Sequence, residues 1–266
     1  MKLEDHTWDV PSFVTHAFKP RASRYCLGIP VLNEGNRLRK QLQTIADLQI
    51  PIDVIIGDGG SNDANADPKS ISALGVRALL VKTGPGALSA QLRMLFAYAM
   101  REGYEGIVTV DGNGKDGMEG IPGFISVLDE GYDFVQGSRY IPGGRHENTP
   151  LDRALGLKLL HAPLISLAAG FRYTDTTNGF RAFSRHFLTD PSVQPFRAVF
   201  SKYNLHYYLS IRAPRGSFLV KEVPVRRSYP SRGPTPSKIS GIRGKMAVLK
   251  ELLAAVTGRY NPRLSP

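Results

Sequence analysis

The stretch Val108–Pro122, "VTVDGNGKDGMEGIP", concentrates residues that could do chemistry. A β-branched run ends at Asp111 and breaks into a glycine-rich loop carrying Asn113, Lys115 and Asp116. An Asp-x-Asp pair at a strand end commonly holds a divalent metal on a diphosphate; here the third position is Asn113. Its amide oxygen still ligates Mg²⁺ or Mn²⁺ but adds no charge. Asp116 is near enough in sequence to replace the missing carboxylate, and one or two carboxylates plus phosphate oxygens are ordinary for Mg²⁺. Lys115 would repel the cation or neutralise the diphosphate itself. The readings are a metal site of Asp111, Asn113 and Asp116 with a weak or dispensable ion, a lysine-assisted site without metal, and a polar turn.

Other polar residues fall at comparable points. "YCLGIPV" runs into Asn33 and Glu34, "DVIIGD" ends on Asp58, and "FVQGS" precedes Arg139. Carboxylates there can accept hydrogen bonds from a base or a ribose, although Asn33, Asp58, Ser61 and Asp63 are also ordinary cap and turn residues. Gly84 and Gly86 precede a helix whose first amides would favour an anion. That pair lacks the third glycine of a dinucleotide fingerprint and does not follow the first strand, which disfavours a dehydrogenase. Arg139 and Arg153 are candidate phosphate grips, since a guanidinium binds two oxygens at once. Lys238 is a third candidate. Asp175 and Arg181 flank "DTTNGFR" and pair with each other in the plainer reading.

The elements that must position these residues alternate. "YCLGIPV", "DVIIGD", "RALLVK", "GIVTVD" and "FVQGS" read as five strands. Leu38, Leu42 and Ile45 mark one helix, and Leu88, Leu92, Leu95 and Ala99 an amphipathic second. Alternation predicts an α/β fold with a mostly parallel central sheet flanked by helices, and such sheets bind ligands at the carboxyl ends of their strands. Past Gly144 the pattern shifts to a helix over 150–170 interrupted near Pro163, the turn-rich "TDTTNGFRAFS", and an edge strand in "FLVKEVPVRRSY" limited by Pro224. A final amphipathic helix over 240–258 carries Ile242, Met246, Leu249, Leu253 and Val256 at alternating steps of four and three. The expected division is an irregular arm, 1–24, a catalytic domain, 25–236, and a basic extension, 237–266.

Composition narrows the classes. Cys26 is the one cysteine, so internal disulfides and cysteine-rich zinc sites are excluded. The six histidines show no metal-binding spacing, and no Gly-x-Ser-x-Gly elbow suggests a hydrolase. No apolar stretch reaches the roughly 18–20 residues of a spanning helix, and the first residues have no apolar signal core. The net charge of +11 lies wholly in the C-terminal part: residues 196–266 carry 14 Lys and Arg against Glu222 and Glu251. Such asymmetry points to an anionic partner.

"IPVLNEG", "GDGGSNDAN", "VDGNGKDGMEGIPGF", "FVQGSRYIPGG", "DTTNGFRAF" and "SKISG" occur in the order in which family 2 glycosyltransferases of the dolichol-phosphate mannose synthase branch carry their motifs. The chain resembles that branch over about residues 25–245. The resemblance implies a GT-A fold, with Pro30, Asn33, Glu34, Asp58, Gly86 and Asp111 toward a nucleotide-diphosphate sugar. It implies Asp111, Arg139, Arg153, Asp175 and Arg181 at the reacting centre, and Arg139, Arg153 and Lys238 toward an acceptor phosphate.

It also implies inverting transfer to a polyprenyl phosphate, dolichyl or undecaprenyl. The final amphipathic helix, with Arg243, Lys245 and Lys250 on it and Lys238 and Arg259 at its ends, is expected to lie on an anionic membrane surface, which makes the expected enzyme cytoplasmic and peripheral on that membrane. A saccharide or other hydroxyl acceptor is the second reading; it needs a carboxylate base, for which Asp175 is the nominee. A basic nucleic-acid-binding module is a distant third. The tail carries no nucleic-acid fold motif and strand-end acids repel phosphates, so no nucleic acid is expected as a partner.

Overall fold

The computed structural model describes residues 8–63, 67–230 and 241–262, apart from the side chains of Ile242 and Arg243. Among the described residues ten strands are formed: β1 Phe13–Ala17, β2 Tyr25–Val31, β3 Asp53–Asp58, β4 Ala78–Lys82, β5 Gly106–Thr109, β6 Phe134–Ser138, β7 Arg145–Glu147, β8 Arg181–Ser184, β9 Val220–Pro224 and β10 Arg226–Ser228. The helices are α1 Asn36–Asp47, α2 Pro68–Ser72, α3 Leu88–Arg101, α4 Ile121–Asp129, α5 Leu151–Gly156, α6 Ala162–Ala169, α7 Arg185–Thr189, α8 Asn204–Arg215 and α9 Gly241–Val256.

Eight strands make one sheet in the order β1-β4-β3-β2-β5-β8-β6-β9, and β10 pairs with β7 in a small second sheet. β2, β3, β4 and β5 are mutually parallel, as are β6 and β9. Their apolar runs are buried on both faces, the usual condition of parallel strands covered by helices. The expected α/β fold and its five strands are present. β8 was not foreseen: it is four residues long, runs antiparallel between β5 and β6, and arises from the stretch read as a loop. The N-terminal arm is not irregular, because β1 pairs antiparallel with β4 from Phe13↔Lys82 to Ala17↔Ala78.

α3 is more deeply set than an amphipathic helix. Every residue from Ser89 to Met100 is buried, including Gln91 and Arg93. The 150–170 helix is broken as expected. A π-helical turn, Leu157–His161, separates α5 from α6. Pro163 has no N–H to return to the preceding turn, which favours such a local widening. β9 is the expected edge strand, and Pro224 ends it.

α9 forms where the final helix was expected, but its stripe is divided. Leu252 and Ala255 are buried, Val248, Leu249 and Val256 pack against the same core, and Met246 and Leu253 are exposed. The helix docks on α8 and α6. No helix among the described residues is long and apolar enough to cross a membrane.

Candidate active site

β2 and β3 end side by side, with Val31 opposite Asp58. Gln91 of α3 stitches these ends together: its buried Nε2 donates to Val31 O at 2.7 Å and to Gly57 O at 2.9 Å. Beyond β2, Asn33 takes a left-handed φ of 52°, which asparagine tolerates better than most residues. Its Oδ1 accepts from Asn62 N at 2.9 Å, and Gly35 N donates to Asp63 Oδ2 at 2.9 Å. Asp58 is buried and its carboxylate accepts from the Ser61 amide and hydroxyl. Glu34 pairs with Arg37 at 3.0 Å. The predicted donor residues Pro30, Asn33, Glu34 and Asp58 are thus gathered at the carboxyl end of β2 and β3, and Asn33 and Asp58 also hold the loop after β3.

Gly86 does not extend this group. Two amides at the start of α3 are occupied: Ala87 N donates to Ser201 O at 2.7 Å and Ser89 N to Lys202 O at 2.6 Å. The turn serves the 201–202 segment rather than an anion. Its φ of 102° and an Ala90 Cβ only 2.5 Å from an added Cβ explain the glycine.

The Asp111 loop is held from three sides. Gln41 of α1 donates to Asp111 O and accepts from Gly114 N, both at 3.1 Å. Gly179 lies so close that a Cβ there would stand 2.5 Å from Asp111 Oδ1. The third side is β10. Ser228 N donates to Lys115 O at 2.8 Å and Gly117 N to Arg226 O at 2.9 Å, which sets Arg227 against the loop. Its Nη1 contacts both Asp116 oxygens, at 2.8 and 2.6 Å, and its Nη2 donates to Asp111 Oδ2 at 3.0 Å.

This arrangement corrects the expected metal set. The Asp116 side chain is wholly buried on Arg227 and is not presented as a ligand. Asn113 turns its amide nitrogen toward Asp111 Oδ2 at 3.3 Å, while its oxygen accepts from Lys115 N at 3.3 Å. Among the described residues, no group of three or more His, Cys, Asp or Glu side chains is placed to hold a metal. With Asp116 held by Arg227 and the Asn113 oxygen taken by Lys115 N, Asp111 alone of the expected set is presented, and on its own it does not fit Mg²⁺ or Mn²⁺ as a resident ion. Burial would raise the Asp111 carboxyl, but Arg227 and then Lys115 outweigh it and hold it below the usual carboxylate value.

Tyr229, buried next to Arg227, is ringed by cations. Lys115 Nζ lies 5.2 Å from its ring centre, and the Arg153 and Arg227 guanidinium carbons at 5.7 and 5.8 Å. Burial would raise the phenol; Arg227, Arg139 and Lys115 outweigh it and lower it below its ordinary value. A cavity of about 400 Å³ opens between α1 and the Asp111 loop, lined in part by Arg37, Lys40, Lys115 and Tyr229. Its charged lining is Arg37, Lys40 and Lys115 against Asp116.

Two of the expected catalytic arginines are placed differently from their predicted roles. Arg139 is buried and its fork is taken by Asp175, Nε to Oδ2 at 2.6 Å and Nη2 to Oδ1 at 2.9 Å. Arg181 does not pair with Asp175. It opens β8 with its side chain buried and donates to the carbonyls of Thr176, Asn178 and His206. Both hold the 174–181 loop that carries Gly179. Arg153 remains half-buried near the Tyr229 face. Lys238 lies outside the described residues. The sequence reading missed Gln41, Gln91, Gly179, Arg227 and Tyr229.

No protein-family model matches the chain. It is 28% identical over 237 residues to a polyprenol monophosphomannose synthase of Mycolicibacterium smegmatis, covering 88% of this chain and 87% of that one. It is 28% identical over 217 residues to an undecaprenyl-phosphate mannosyltransferase of Micrococcus luteus, covering 80% and 86%. Its fold matches the glucosyl-3-phosphoglycerate synthase of Mycobacterium tuberculosis, solved with Mg²⁺ and uridine diphosphate, with a TM-score of 0.63, 19% identity, and 90% and 80% of the two chains covered. The chain is a GT-A-fold glycosyltransferase. In this glycosyltransferase the carboxyl ends of β2 and β3, the Asp111 loop and the Tyr229 cation cluster share one end of the sheet, where open α/β sheets bind ligands.

Proposed function

We propose that this glycosyltransferase moves a sugar, with inversion, from a nucleotide-diphosphate donor to a polyprenyl phosphate at an anionic membrane surface. The observation that carries the acceptor side is an apolar ridge that begins at the cation cluster. Leu151, Leu159 and Leu167 are 74%, 74% and 77% exposed, and Leu155 and Leu160 are exposed between them. They lie along the α5–α6 segment, the helix that also carries Arg153 over Tyr229. Contiguous exposed leucines are unusual on a soluble surface and mark contact with lipid or protein. A lipid phosphate held near Arg153 would leave its chain along this ridge. The names of the relatives support the same acceptor.

The chemistry then needs little from the protein beyond alignment. A phosphate oxygen is already ionised near neutral pH, so it attacks the anomeric carbon without a base. Glu34 and Asp58 face the nucleotide side. The cations around Tyr229 draw the acceptor phosphate toward the donor and offset charge on the departing diphosphate. Asp175 gives no support to a hydroxyl acceptor, because its carboxylate is fully buried on Arg139. The basic C-terminal part adds attraction to anionic lipid, about 1 kcal/mol per residue close to the surface.

The test is incubation with radiolabelled GDP-mannose and UDP-glucose, in parallel, with undecaprenyl or dolichyl phosphate. Label is expected in the organic phase. Label confined to water-soluble product would move the acceptor to a saccharide.

A further inference from the structure

We infer that Arg227 is a built-in counter-cation standing in for a divalent metal, so that this chain binds the diphosphate of its donor without Mg²⁺ or Mn²⁺. The inference rests on the donor reading above and extends it to the charge balance of the site. Two carboxylates and a divalent cation sum to zero. In this chain Asp111 and Asp116 bring the two negative charges, and Arg227 and Lys115 bring two positive ones beside them.

Arg227 is fixed in that place rather than free to swing aside. It is only 5% exposed, and backbone hydrogen bonds on either side of it tie β10 to Lys115 and Gly117. Both terminal nitrogens are engaged, one by each carboxylate. A metal taking Asp116 as a ligand would have to displace a guanidinium from a buried carboxylate and leave it buried without that partner, which is strongly opposed. Asn113 agrees with this, since a second carboxylate at that position would add a negative charge that Arg227 and Lys115 do not match. The Mg²⁺ of the M. tuberculosis enzyme belongs to that protein's ligand set.

Two measurements decide the matter. The first is calorimetric binding of GDP and UDP to the full-length protein, in EDTA and in Mn²⁺. The nucleotide that binds should do so with dissociation constants within about threefold of each other in the two buffers. Weakening of about tenfold or more in EDTA overturns the inference and leaves the donor reading intact. Failure of both nucleotides to bind in either buffer overturns the donor reading, and the inference with it. The second is uptake of Mn²⁺ without nucleotide, followed by loss of the free-ion electron paramagnetic resonance signal. The wild-type protein should leave the signal unchanged, whereas Arg227→Gln, which frees Asp111 and Asp116, should diminish it. Uptake by the wild-type protein overturns the inference, and that reading stands even if the variant does not fold.

Discussion

Arg139 and Asp175 are locked together in the interior through two hydrogen bonds, at 2.6 and 2.9 Å, and Thr177 Oγ1 takes a further one from Arg139 Nη2 at 3.1 Å. The pair joins the end of β6 to the loop before β8. Removing one partner leaves a buried charge alone, which costs about 3–5 kcal/mol. Arg139→Ala should therefore lower the urea midpoint strongly. A variant of normal stability with lost turnover would return Arg139 to the substrate.

Asp111→Asn should separate chemistry from folding. Arg227 keeps Asp116, so the melting temperature should stay within a few degrees of the wild type. Turnover should fall by about 10²-fold or more, because the charge that aims Nη2 is gone. Rates near wild type at saturating donor would remove Asp111 from the reacting centre.

Gly179→Ala tests the same carboxylate from behind. An added Cβ would sit 2.5 Å from Asp111 Oδ1, so the side chain must turn. Turnover should fall while nucleotide affinity changes little. Unchanged kinetics would mean that the orientation of Asp111 is immaterial.

The leucine ridge predicts a surface phenotype. Replacing Leu151, Leu159 and Leu167 together by Ser removes exposed side chains, so thermal stability should hold. Flotation with anionic liposomes and transfer to polyprenyl phosphate should both drop. Flotation equal to wild type would separate the ridge from the membrane.

His161 sets an acid limit. It is buried, bonded to Thr176 Oγ1 at 2.7 Å, and burial followed by Arg181 lowers its pKa to about 4. The unfolded imidazole titrates near 6.5. Between those values the unfolded chain binds the extra proton, so stability present above about pH 6.5 is lost as pH falls toward 4, by about 3 kcal/mol at most. Urea unfolding at pH 5 and pH 7 should show this loss in the wild type and a smaller one in His161→Gln.

What was legible in the sequence follows from where the determining contacts lie. β2, β3 and β6 read correctly because strands buried on both faces are continuous apolar runs. Asn33, Glu34, Asp58 and Asp111 stood out because they follow such runs directly. Arg227 was invisible by the same logic: 111 residues separate it from Asp116, and only the fold of β10 brings them together. Gln41 and Gln91 read as ordinary helix residues, since nothing local says that one amide will bridge a carbonyl and an N–H and the other two carbonyls. β8 hid in its short length. Asp175 and Arg181 are close in sequence, which suggested a pair; Arg139 took the carboxylate because β6 lies alongside β8.

The antiparallel docking of β1 bears on how the protein can be shortened. Removing residues 1–24 as a dispensable leader would uncover the outer edge of β4, a row of unpaired N–H and C=O groups beside Leu79 and Leu80. Such a row is a template for strand addition from another molecule. It would also take away Trp8, which stacks on Phe196 with ring centres 3.8 Å apart. The trimmed protein should retain the cavity beside the Asp111 loop and yet self-associate, which makes the first strand a guard against aggregation.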